Sequence, residues 1–85
     1  MKAILCKEYG PAETLVIENV PSPEAKGRGV KVRVKAAGLN FPDTLIIEGK
    51  YQLKPTMPFS PGGEMSGEVI AVGDQVTRFK VGDRV

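Results

Sequence analysis

The side chains best suited to bind or polarise a small molecule lie together between Gly38 and Gly67. They are the Asn40 amide, the Asp43 and Glu64 carboxylates and the Tyr51 phenol. This set can donate and accept hydrogen bonds and hold negative charge. It lacks the usual general base, because the chain has no histidine. That excludes Ser-His-Asp and Cys-His catalysis within the chain and removes the commonest zinc ligand. A single cysteine, Cys6, completes no soft-metal site and no internal disulfide. The same stretch is the richest in Gly and Pro, which marks it as a shaped loop that the surrounding elements must hold.

Eighty-five residues with 41% hydrophobic composition suit one small globular domain. The formal charge of +2 is too small to indicate nucleic acid or an acidic membrane as partner. The opening MKAILCKEYG is interrupted by Lys7 and Glu8 and does not read as a leader. No apolar run approaches the ~20 residues of a membrane helix. With the lone thiol, these features lead us to expect a soluble, cytoplasmic protein with no membrane or nucleic-acid partner.

The elements that must position the central stretch read mostly as strands. Lys2–Lys7 is expected as the first, with Cys6 packed as a small hydrophobe. Tyr9-Gly10-Pro11 is a turn. Leu15–Val20 follows, Leu15 and Ile17 sharing a face, and Pro21-Ser22-Pro23 ends it. Gly27-Arg28-Gly29 begins like a dinucleotide fingerprint but lacks the third glycine and leads into a strand. That strand, Val30–Ala36, alternates Val30, Val32, Val34 and Ala36 against Lys31, Arg33 and Lys35. The basic side reads as a solvated sheet face, since no aromatic residues are interleaved for base stacking.

A short helix is expected next. Asn40 can cap it, Pro42 fits its first turn, Asp43 suits its dipole and Gly49 is a natural stop. Lys50–Pro61, with Pro55, Pro58 and Pro61, predicts an ordered loop. Gly62–Val72 is a strand in which Gly67 signals a bulge or a close backbone approach. Gly73-Asp74 is a hairpin-type turn, and Phe79–Val85 turns again and starts another strand. The pattern argues for a mainly β fold, a small barrel or curled sheet with one helix.

Taken together, MKAILCKEYGPAETLVIENV, VKVRVKAAGLNFPD, IIEGKYQLKPTMPFSPGGEMSGEV and VGDQVTRFKVGDRV resemble the N-terminal part of the medium-chain dehydrogenase/reductases. The likeness is to the zinc-free quinone oxidoreductase branch (NADPH:quinone reductase, zeta-crystallin-like). The resemblance implies a GroES-like partial barrel over 1–85, cut before the barrel is complete and without the Rossmann cofactor-binding domain. Zinc-dependent relatives carry Cys-His where this chain has Asn40-Phe41, and Gly-His-Glu where it has Gly62-Gly63-Glu64. Two metal ligands are thus replaced by Asn40 and Gly63. Without a Lewis acid, an unactivated alcohol is a poor hydride donor, whereas a conjugated quinone or enone needs no such help.

The resemblance further implies NADPH as cofactor, bound mostly outside this chain, and no zinc. It places Asn40 at the nicotinamide end of a cleft and Asp43 beside it as catalytic candidates. Tyr51 falls at the mouth of the substrate pocket, and Gly62 and Gly63 where the backbone approaches the cofactor or an adjoining strand. Each has a plainer alternative. Asn40 can be a helix cap, Asp43 a dipole partner and Tyr51 an anchor for the Pro-rich loop; Glu64 is expected to hold loop N–H groups. The isolated chain is expected to be inactive, and open strand edges to favour self-association or a homodimer. The competing function is a stand-alone GroES-like interaction module.

Overall fold

A computed structural model describes residues 1–85. The chain divides into two compact units, Met1–Pro21 with Gly38–Gly63, and Ser22–Ala37 with Glu64–Val85. In chain order the elements are β1 (Lys2–Leu5), a 3₁₀ turn (Ala12–Thr14), β2 (Val16–Asn19), β3 (Val30–Gly38), α1 (Phe41–Ile47) and β4 (Glu64–Val72). The expected mainly β chain with one α-helix is what forms. β1 pairs with β2, and β3 with β4, as two-stranded sheets.

In the first unit, β1 and β2 run antiparallel with Ile4 opposite Ile17 and Leu5 opposite Val16. β1 is shorter than expected because Cys6 leaves β2 and pairs with Phe59 instead. Cys6 N–H donates to the Phe59 carbonyl at 2.8 Å, and Phe59 N–H to the Cys6 carbonyl at 3.2 Å. This exchange fastens the Pro-rich loop, as do the bonds from Lys54 Nζ to the Gly49 and Tyr51 carbonyls at 2.9 and 3.3 Å. Cys6 and Ile47 are the buried side chains of this unit, so Cys6 packs as the small hydrophobe expected of it. The face carrying Ile17 does not bury as the alternation suggested. Ile17 is 70% exposed and its partner Ile4 51%, since nothing in the chain covers that side of the hairpin.

The helix ends where the sequence says it should. Lys50 N–H reaches back to the Leu45 carbonyl at 2.9 Å and Gly49 N–H to the Ile46 carbonyl at 3.1 Å. This is the paired closure of a Schellman motif, with Gly49 in the left-handed region at φ 72°.

In the second unit, Val69 is fully buried. β4 is hydrogen-bonded on a second side by the C-terminal residues. Gly67 and Val85 exchange both backbone bonds at 2.9 Å, and Val69 N–H donates to the Asp83 carbonyl at 2.8 Å. The strand expected to begin near Val85 is therefore present as a short pairing centred on Glu68 and Arg84. Gly67 is the close approach its place in a strand implied: a Cβ there would sit 2.2 Å from the Arg33 carbonyl oxygen. Arg33 and Lys35 are exposed as expected, but Lys31 is half-buried and Val34 is 53% exposed, so the alternation does not divide β3 into a buried and a solvated face. The expected Gly73-Asp74 turn forms one residue later, closed by Val76 N–H to the Gly73 carbonyl at 3.2 Å.

Candidate functional site

The site is built where β3 runs out. After Gly38 the backbone stays extended through Asn40, at φ −130° and ψ 161°, and α1 begins at Phe41. An extended residue ahead of a helix leaves the first N–H groups without intrahelical partners. Asp43 answers part of that need. Its Oδ2 accepts from the Asn40 N–H at 2.9 Å, while its own N–H donates to the Asn40 carbonyl at 3.0 Å. Thr44 Oγ1 donates to the Phe41 carbonyl at 2.6 Å. Asn40 and Asp43 are thus coupled to each other, but the cap expected of the Asn40 amide does not form. The Asn40 backbone carbonyl takes the Asp43 N–H, and Asp43, expected here as a dipole partner, supplies the side-chain bond.

Beside this junction lies a groove of about 130 Å³. Ala12, Leu15, Leu39, Ile47 and Pro61 form its walls, with Asn40, Asp43 and Thr44 along one border. The lining is almost wholly carbon, so these three polar residues frame the groove without turning their polar atoms into it. Leu39 and Phe41, on either side of Asn40, are 82% and 73% exposed. An exposed apolar pair flanking an exposed amide suits contact with a flat, partly polar molecule.

The other residues expected at a site are distributed differently. Tyr51 is half-buried and does not line the groove. Gly62 has φ 110°, a conformation only glycine adopts readily. A Cβ on Gly62 or Gly63 would meet nothing within 4 Å. Close approach to an adjoining strand of this chain therefore does not explain them. Glu64 corrects an expectation too: its exposed carboxylate accepts no hydrogen bond from loop N–H groups.

The groove wall contributed by Ala12 and Leu15 escapes the sequence reading. It rests on the 3₁₀ turn, which Thr14 closes by donating its N–H and Oγ1 to the Pro11 carbonyl at 2.9 and 2.8 Å. The one signal was Thr14 placed three residues after a proline.

A zinc ion does not fit this donor set. Cys6 is 1% exposed, and its Sγ faces the carbonyls of Glu8 and Ile47 at 3.2 and 4.0 Å. No three His, Cys, Asp or Glu side chains come together. No helix is long and apolar enough to cross a membrane.

The family model for the alcohol dehydrogenase GroES-like domain matches residues 26–85. The chain belongs to that family. Within the medium-chain dehydrogenase/reductases, its similar proteins include quinone oxidoreductases. It is 48% identical over 85 residues to the quinone oxidoreductase-like protein 2 homolog of Nematostella vectensis, covering 99% of this chain and 23% of that protein. Its structure is similar to the quinone oxidoreductase of Pseudomonas syringae pv. Tomato, with TM-score 0.88 and 49% identity over 98% of this chain and 25% of that one. It is similar also to the Escherichia coli quinone oxidoreductase complexed with NADPH, with TM-score 0.90 and 33% identity over 99% of this chain and 26% of that one. This GroES-like chain thus spans about a quarter of the length of the relatives it matches.

Proposed function

We propose that this chain is the N-terminal catalytic-domain segment of a zinc-independent, NADPH-dependent quinone or enone oxidoreductase. The observation that carries the reading is the capped junction of Asn40 and Asp43 beside a carbon-lined groove, in a GroES-like chain whose similar proteins include named quinone oxidoreductases. NADPH, held mostly by a cofactor-binding domain outside these residues, supplies the hydride that a conjugated acceptor takes up. The groove and the exposed Leu39 and Phe41 offer the apolar surface that shields a ring from water. Asn40 orients the acceptor or the carboxamide end of the cofactor by hydrogen bonding, and Asp43 holds the Asn40 backbone. Tyr51, which lies outside this groove, is assigned to the mouth of the substrate pocket as the rest of the enzyme completes it. Gly62 and Gly63 leave open surface along which a ligand can approach the backbone.

The donor set favours an acceptor that needs no Lewis acid. The proton that completes reduction comes from solvent or from a residue outside the chain. The buried free thiol of Cys6 fits a reducing compartment, and we assign the enzyme to the cytoplasm. The uncovered Ile4–Ile17 pair supports self-association of the isolated chain.

The test is NADPH oxidation with 1,4-benzoquinone by the full-length enzyme carrying this segment. Turnover is expected there and none with the 85-residue chain alone. Asn40→Ala is expected to lower kcat/KM by roughly tenfold or more, as loss of an orienting hydrogen bond does. No oxidation with any quinone or enone, or an Asn40→Ala enzyme of unchanged kcat/KM, refutes the assignment.

A further inference from the structure

A second cleft, of about 190 Å³, lies in the unit formed by Ser22–Ala37 and Glu64–Val85. Its lining is Arg28, Gln75, Val76, Thr77, Arg78 and Phe79. Two turns bring these residues together. The first is closed by Gly29 N–H to the Lys26 carbonyl at 2.9 Å and carries Arg28. The second runs from Gly73 to Val76. Gly73 N–H donates to the Gly29 carbonyl and Gln75 N–H to the Gly27 carbonyl, both at 2.9 Å. These cross-links set Arg28 beside the Gln75–Phe79 segment.

The chemistry of the lining is one-sided. It holds two guanidinium groups, an amide and a hydroxyl, and no carboxylate. The chain's ion pairs are Lys7–Glu18, Lys50–Glu48 and Lys80–Asp83, so neither arginine is neutralised. The Arg78 guanidinium lies 5.9 Å from the centre of the Phe79 ring, a contact that restrains it while leaving its N–H donors free. Two guanidinium groups with neighbouring neutral donors suit a phosphate-type oxyanion, which takes several charge-assisted bonds, better than a halide or a single carboxylate.

We propose that the cleft of Arg28, Gln75, Thr77 and Arg78 is a binding site for a small, multiply charged oxyanion of the phosphate class. It is separate from the groove at Asn40 and does not depend on the oxidoreductase reading.

The test is titration of the ¹⁵N-labelled chain with inorganic phosphate at fixed ionic strength, with sodium chloride as the control. Saturable shifts are expected at Arg28, Gln75, Thr77 and Arg78. Arg28→Gln or Arg78→Gln is expected to weaken binding at least tenfold, and the double variant to abolish it. Lys31→Gln, outside the cleft, is expected to leave it unchanged. Arg28 and Arg78 are exposed, and a phosphate-dependent rise in melting temperature gives a second readout with the same ordering. Shifts that do not saturate, that chloride reproduces, or that follow the Lys31–Lys35 face instead overturn the proposal.

Discussion

The carbonyl oxygen of Arg33 occupies the space that a side chain on Gly67 would need, with 2.2 Å between it and the nearest position a Cβ could take. Both partners are backbone-bound: Gly67 exchanges two hydrogen bonds with Val85 on its other side. Neither strand can shift without breaking a ladder. Gly67→Ala is expected to destabilise the fold by about 1–3 kcal/mol, the range for overpacking a tight site. A lowered denaturant midpoint at unchanged slope would show it, and an unchanged midpoint would contradict the close approach.

The Asp43 carboxylate carries the helix start through its bond from Asn40 N–H at 2.9 Å. Asp43→Ala is expected to cost about 1 kcal/mol of stability, as removal of a capping group does. Under the proposed function it also lowers kcat/KM, because Asn40 loses the group that fixes it. Equilibrium unfolding of the variant checks the first effect, and steady-state kinetics of the full-length enzyme the second.

Asp83 gives the chain a specific acid response. The Lys80 N–H donates to its Oδ2 and Lys80 Nζ to its Oδ1, each at 3.0 Å. The backbone bond first, then the side-chain bond, hold its pKa below the ordinary 3.8. The folded state therefore favours the charged form, while the unfolded chain takes up the proton first. The stabilisation is full above pH 3.8 and disappears as pH falls through the lower folded value. The stability gap between the wild type and Asp83→Asn is expected to be constant at neutral pH and to close below that point. Unfolding midpoints measured across the acid range test this, and added salt should narrow the gap because the pair is exposed.

Local chemistry made part of this structure readable in advance. The strand β3, the stop at Gly49 and the tight place at Gly67 each follow from a rule that acts within a few residues. The place of Asp43 in the first helical turn follows too, but the Asn40 amide, expected as the cap, makes no capping bond. What was not readable depends on what lies across from a residue. Alternation puts Ile17 on a face with Leu15 but says nothing of what covers that face. The glycines at 62 and 63 announce freedom or space, and only the backbone separates the two: Gly62 uses its φ of 110°, while a side chain on Gly63 would point into open surroundings. The 3₁₀ turn that supplies Ala12 to the groove is held by a threonine hydroxyl, a local bond that leaves no periodic trace. The presence of Arg28 and Arg78 in one cleft arises from contacts between turns far apart in sequence.

The mutual bonding of Cys6 and Phe59 has a mechanical meaning for the proline-rich segment. Its far end is pinned to the first strand while Lys54 staples its near end. A stretch anchored at both ends behaves as a fixed jaw and not as a swinging door. Under the proposed function, any movement that closes on a ligand beside Asn40 falls to other parts of the protein.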